Sequence, residues 1–294
     1  MPLNALNRRD FLASTCAATL AGVCSTNPAH SAESKMKFGM VTYQWGKDWD
    51  LPTLLANLEK ARVLGVELRT THAHGVEPAL TDQQRREVKK RFEDSPITLV
   101  GIGSNENFDS PDPETLKKAI EASKAFVLLS RDVGSSGVKV KPNSFHDGIP
   151  HEKTIEQIGK SLNELGNFAQ DYGQQIRLEV HGECAQLPTM KAIMDIANHP
   201  SVRICWNSNR QDLEGQGLEY NFNLVKDLFG STAHVRELDT PDYPFQKLMD
   251  LFKGVQYGGW ILLEASSNTP EVMKDRVQAL IRQRELFEKM VGAS

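Results

Sequence analysis

A chain of 294 residues that is 39% hydrophobic and 24% charged, with 21 Gly and 14 Pro, has globular proportions, which exclude collagen-like, low-complexity and disordered classes. Its length is enough to bury a sizeable core. A formal net charge of −4 lacks the basic balance that a phosphate backbone attracts, so nucleic acid is disfavoured as a partner.

The N-terminus carries Asn7-Arg8-Arg9-Asp10-Phe11-Leu12, a mildly apolar run from Ala13 to Val23, then Pro28 and small residues near Ala32. Together these resemble a twin-arginine export leader with cleavage near Ala32. Cys24 stands where a lipid-modified cysteine would, but the bulky Val23 before it suits such a site poorly. Residues 1–32 are therefore read as a signal peptide and 33–294 as one exported, periplasmic domain. Taking 32 from 294 residues leaves 262, and losing Arg8, Arg9 and Asp10 moves the net charge from −4 to −5. Cys16 and Cys24 leave with the leader, while Cys184 and Cys205 show neither metal-type spacing nor a disulfide framework. Beyond the leader no apolar run approaches the length of a membrane span.

Short apolar segments then alternate with longer amphipathic ones. Strands are predicted at 37–45, 65–71, 98–104, 137–143, 175–181, 202–209, 232–238 and 259–265. Helices are predicted at 51–63, 81–92, 113–130, 152–171, 188–197, 221–228, 244–253 and 270–290, several opened by Asp, Thr or Pro. Eight strand–helix units in about 250 residues match a single α/β TIM barrel, (β/α)8. The rival is a doubly wound open sheet, but no glycine-rich dinucleotide fingerprint follows the first strand.

A barrel places its chemistry at the C-terminal strand ends. Alternation puts Glu67 and Arg69 on one face of the second strand, Lys139, Lys141 and Asn143 on one face of the fourth, and Arg177, Glu179 and His181 on one face of the fifth. The sixth offers Cys205, Asn207 and Asn209, the seventh His234, Arg236 and Leu238, the eighth Leu262, Glu264 and Ser266. Charges inside apolar strands are costly unless paired, ligated or solvated, so a polar mouth is expected. Tyr43 and Trp45 share a face of the first strand and suit a sugar-stacking wall or core packing, while Trp206 should pack under a helix. His72 and His74 could form a flexible metal clip or be solvated.

Leu178-Glu179-Val180-His181, Cys205-Trp206-Asn207-Ser208-Asn209, His234-Val235-Arg236-Glu237 and Leu262-Leu263-Glu264, with Gly65-Val66-Glu67-Leu68-Arg69, resemble the xylose isomerase-like barrel superfamily of sugar-phosphate isomerases and epimerases. The resemblance covers the whole exported domain. It implies a divalent metal on Glu, Asp, His and Glu of strands five to eight, with the two glutamates also moving protons. Carried to this chain, the metal set is Glu179, Asn207, His234 and Glu264, with Asn207 replacing the aspartate. On strand seven the register leaves His234 and Arg236 as alternatives. Glu179 and Glu264 are the catalytic pair, and Glu67, Arg69, Lys141, Asn143, His181, Asn209 and Arg236 are the substrate-binding set.

Charge qualifies the metal: Glu67, Glu179 and Glu264 face Arg69, Lys141 and Arg236, three against three. The donors suit Mn2+ or Mg2+, and also Zn2+ or Co2+; without a metal, Lys141 or Arg236 could polarise a carbonyl instead. No nucleotide cofactor is expected. The reading is an exported sugar isomerase or epimerase that works through an enediolate on a small sugar or keto-sugar, as a monomer or homo-oligomer. A keto-sugar lyase or hydratase and a non-catalytic carbohydrate-binding barrel are the alternatives. Nucleophilic catalysis is unsupported, since no serine elbow is present and Cys205 has no evident histidine partner.

Overall fold

The structure, a computed structural model, describes residues 34–292; the expected twin-arginine leader, Cys16, Cys24 and the expected cleavage near Ala32 lie outside the described residues. All eight expected strands form: β1 (Lys37–Val41), β2 (Gly65–Arg69), β3 (Thr98–Asn107), β4 (Gly137–Lys141), β5 (Gln175–Glu179), β6 (Val202–Asn207), β7 (Phe229–Val235) and β8 (Trp260–Leu263). They pair in parallel in sequence order, and β1 also pairs with β8, with Gly39 opposite Leu262. That last pairing closes the sheet into a (β/α)8 barrel and removes the open-sheet alternative.

Around it lie α1 (Leu51–Ala61), α2 (Asp82–Glu93), α3 (Pro113–Asp132), α4 (His151–Gln170), α5 (Leu187–Ile196), α6 (Leu218–Val225), α7 (Phe245–Gly254), α8 (Pro270–Lys274) and α9 (Arg276–Val291). Their starts follow local chemistry. The Asp50 carboxylate accepts from Thr53 N at 2.9 Å, Asp112 does the same for Thr115 N, and Thr81 with Gln84 makes a capping box. The single helix expected at 270–290 is two, because Asp275 takes an extended conformation (φ −145, ψ 75) and caps α9 through Gln278 N. Among the described residues no helix is long and apolar enough to cross a membrane.

Strand alternation divides the interior into two environments. Val138, Val140, Leu178, Ile204, Trp206 and Val235 join the large apolar cluster between sheet and helices, and Trp206 packs on Phe222 of α6 as expected. The residues between them point inward, where the described residues include a small apolar group, Val41, Val100 and Leu262. Most of the inner lining is polar and buried: Glu67, Lys139, Arg177, Glu179, Asn207 and His234.

Candidate active site

The floor of the site is set by Arg177 on β5. Its guanidinium is fully buried and donates to Val100 O at 3.0 Å, Ser136 Oγ at 2.7 Å and Gln175 Oε1 at 3.0 Å. Glycine makes the room: a Cβ on Gly101 would stand 2.8 Å from both Arg177 Nη1 and Glu67 Oε2.

Two residues above Arg177, Glu179 reaches a centre shared with three neighbouring strands. Its Oε1 is 2.9 Å from Asn207 Nδ2 and 3.3 Å from His234 Nδ1. Glu264, which follows directly on β8, brings Oε2 to 3.4 Å from Asn207 Nδ2 and 3.9 Å from His234 Nδ1. Behind this cluster two of the donors are braced. Lys139 Nζ lies 2.8 Å from Glu179 Oε2, and Glu67 Oε1 lies 3.3 Å from His234 Nε2. Lys139, Glu67, Glu179 and His234 are all essentially without solvent contact, whereas Glu264 keeps 18% of its side chain open to the cavity.

This donor set fits a divalent ion. Donor atoms of Glu179, His234 and Glu264 lie within 4.8 Å of one another, and the Asn207 amide can turn its oxygen inward by a half-rotation about its last bond. Two carboxylates, an imidazole and an amide oxygen suit Mg2+ or Mn2+, and also Zn2+ or Co2+. The bracing is the kind metal ligands need, since a carboxylate behind an imidazole fixes its tautomer and orientation. Lys139 holds one oxygen of Glu179 and leaves the other for the centre. On strand seven His234, not Arg236, is the residue in the cluster.

Electrostatics separates the two glutamates. Burial alone would raise Glu179, but Lys139 and His234 hold its carboxyl well below the usual range. Glu264 moves the other way, pushed up by burial and by the charge of Glu179. Burial opposes ionisation of Lys139 as well, yet Glu179, Glu264 and Glu67 keep it an ammonium. For His234, burial favours the neutral ring, while Cys205, Glu67 and Glu179 raise its pKa well above the ordinary value.

Above this centre opens a cavity of about 230 Å3, to which Arg69, Lys141, His181, Asn209 and Arg236 all contribute, with Tyr43 and Ser266 at its edge. Asn209 spends its amide hydrogens on Val180 O at 2.6 Å and Asn207 O at 3.3 Å. Arg236 is tied to Asp242 at 3.1 Å and to Ser208 O at 3.2 Å. Two expected substrate-binding residues are placed elsewhere. Glu67 lies beneath the cavity, braced on His234. Asn143 follows the end of β4 in a left-handed turn (φ 74), so the strand alternation that would aim it inward has stopped; its amide reaches Ser144 Oγ and its carbonyl accepts from Cys184 N.

Two other expectations change, and the choice left open for Tyr43 and Trp45 is made. The balance at the mouth is not Glu67, Glu179 and Glu264 against Arg69, Lys141 and Arg236, because Glu67 has dropped below and Lys139 has joined. The His72 and His74 clip does not form: His74 is buried between Arg69 O and Val76 N, and His72 sits between Arg69 and Thr42. Tyr43 borders the cavity, while Trp45 is buried and donates to Ser267 O. Sequence reasoning noted Lys139 on the inward face but gave it no role, and it missed Asn105, which receives Arg69 and Lys141. A larger cavity of about 490 Å3 beside α9 contains Glu237, whose carboxylate is already engaged by Ser266 N and Ser267 N.

Residues 55–284 match the sequence profile described as xylose isomerase-like TIM barrel. No curated protein matches the chain in sequence. Among solved structures, L-ribulose 3-epimerase superposes with a TM-score of 0.74 at 16% identity, covering 87% of this chain and 95% of that one. The apo form of 3-keto-D-glucoside 4-epimerase from E. coli gives 0.72 at 13% identity, over 85% and 99%. The IolI protein with a bound zinc atom gives 0.73 at 17% identity, over 87% and 98%. At these identities the likeness is one of fold.

Proposed function

The chain belongs to the xylose isomerase-like TIM barrel family, and from that premise we propose that it is a sugar isomerase or epimerase that moves a proton next to a carbonyl. The observation that carries the reading is the meeting of Glu179 and Glu264 in one braced centre at the floor of an open polar cavity. Two fold neighbours, 3-keto-D-glucoside 4-epimerase and L-ribulose 3-epimerase, support the substrate class.

Glu179 comes from β5 and Glu264 follows β8, so a sugar lying over the centre meets the two carboxylates from different sides. One carboxylate takes the proton from the carbon beside the carbonyl, leaving an enediolate. The other, carrying a proton, returns one to the carbon skeleton; return to the same carbon from the opposite face inverts it, and return to the former carbonyl carbon, with the hydroxyl proton of the adjacent oxygen passing to the former carbonyl oxygen, moves the carbonyl. Lys139 keeps Glu179 ionised and oriented, and Arg236, fixed by Asp242 and Ser208, stands at the rim to orient hydroxyl groups. Glu179, Asn207, His234 and Glu264 would hold a divalent ion, which when bound supplies Lewis-acid stabilisation of the enediolate charge. The leader at residues 1–32 supports export of the folded domain to the periplasm, a place suited to free or oxidised sugars.

Solvent deuterium incorporation into a panel of ketoses and keto-glycosides tests the chemistry. Label is expected at the carbon beside the carbonyl with the wild-type chain and not with Glu179→Gln; sugar binding without any exchange would leave a carbohydrate-binding barrel. Metal analysis should find about one ion per chain, with a thermal midpoint lowered by chelator. Asn207→Asp should tighten that binding. Export is tested by Arg8→Lys with Arg9→Lys, which should retain the protein in the cytoplasm.

A further inference from the structure

Among the described residues, two cations on the β2–β4 side of the cavity have no carboxylate in salt-bridge contact. Arg69 Nη2 and Lys141 Nζ each lie 3.2 Å from the same acceptor, Asn105 Oδ1. The other contacts of the Arg69 guanidinium are uncharged as well: Nη1 meets His72 Nε2 at 3.2 Å, and the group lies 5.4 Å from the centre of the Tyr43 ring. His72 is neutral near pH 7, because burial and Arg69 push its pKa down to about 4. Glu106, on the same strand as Asn105, is near Lys141 but forms no ion pair with it, and burial pushes its carboxyl pKa up. Of the other cations at the site, Lys139 is met by Glu179 and Arg236 by Asp242, while Arg177, sealed beneath the cavity where no ligand reaches it, spends its donors on Val100 O, Ser136 Oγ and Gln175 Oε1.

Two like charges brought onto one neutral amide oxygen repel each other, and burial, Lys139 and Arg69 disfavour the charged form of Lys141 more than Glu179 and Glu264 favour it. An oxyanion between them would relieve both, with the guanidinium supplying a planar fork and the ammonium a point charge. We propose that Arg69 and Lys141 form the receptor for an anionic group on the substrate, a carboxylate or a phosphate, so that the protein acts on an acidic sugar whose anion sits at the β2–β4 side and whose carbonyl end lies over Glu179 and Glu264. The inference rests on the isomerase or epimerase reading for its substrate, but its test does not need turnover.

Equilibrium binding to the full chain is measured by calorimetry with neutral hexoses and with the matching uronates, aldonates and 6-phosphates. At least one acidic series should bind about tenfold or more tightly than the neutral sugars. Preference for uronates or aldonates identifies a carboxylate receptor, and preference for the 6-phosphates identifies a phosphate receptor. In Lys141→Gln and Arg69→Gln the ratio of acidic to neutral affinity should fall toward one, whereas Arg69→Lys, which keeps the charge, should retain part of it. Equal affinity for charged and neutral sugars, binding of neither, or a ratio that survives both glutamine substitutions overturns the inference. Charge-selective binding without deuterium exchange would instead remove the isomerase reading and leave this one standing.

Discussion

Across the cavity from the β5–β8 cluster, where Glu179 is met by Lys139 and His234 lies between Glu179 and Glu67, the β2–β4 side holds Arg69 and Lys141 on Asn105, His72 and Tyr43. On the first side the charged groups contact one another: Lys139 meets Glu179, and His234 lies against Glu67, Glu179 and Glu264. The second is complete only as a surface for something that binds. A site that must both perform proton transfer and select a substrate gains from this division, because reacting groups need preorganisation while recognition groups need unmet demand.

The contrast can be broken most severely at the reacting pair. Glu264→Gln should lower deuterium exchange by about 10²–10⁴-fold; a loss of less than about tenfold would move proton transfer away from this residue. Next comes the bracing. Lys139→Met leaves Glu179 buried without its cation and should cost about 3–5 kcal/mol in urea unfolding, the range for one partner removed from a buried pair. A cost near that of a surface substitution would mean that the β5–β8 side is no better tied than its opposite.

One flaw in the ordered side sharpens the comparison through pH. Asp212, beneath Asn209, accepts on Oδ2 from Tyr243 OH at 2.6 Å and Asn209 N at 3.0 Å, but its Oδ1 is buried without a partner. Burial raises its pKa from 3.8 to about 7, against the lowering effect of those two donors. The folded state therefore holds this proton more tightly than the unfolded chain. Its contribution is full below pH 4 and is lost as pH rises to about 7, at most about 4 kcal/mol. Asp212→Asn should flatten the pH dependence of the urea midpoint between pH 4 and 7, and an unchanged slope would assign the titration elsewhere. The smallest effect is expected across the cavity, where Lys141→Gln should change stability by no more than about 0.5 kcal/mol while altering ligand choice. A loss as large as that of Lys139→Met would erase the distinction between the two sides.

Glu179, Asn207, His234 and Glu264 were legible in the sequence because each interrupts or ends an apolar strand, where a polar group needs a reason to be. Lys139 has the same signature, but on β4 it lies opposite Arg177, one tier below Glu179. Only its long side chain brings its charge up to the centre, and strand alternation reports face without depth. Glu67 was misplaced for the same reason: its face was right, and its depth put it under His234 and out of the cavity. Asn105 went unread because β3 runs to Asn107, three residues beyond its expected end, so a residue taken for loop is held within a strand between Arg69 and Lys141.

By itself the sequence determined the alternation of strands and helices, the capped helix starts and the inward or outward face of residues within each strand, because periodicity and capping act over a few neighbouring residues. Tertiary structure decided closure of the sheet, the depth of each inward side chain, and which charges find partners. Those depend on contacts between strands far apart in the chain, such as β1 with β8 and Glu179 with Glu264. It was this arrangement that left Lys139 against Glu179 and Lys141, two residues away on the same face, with no carboxylate in contact among the described residues.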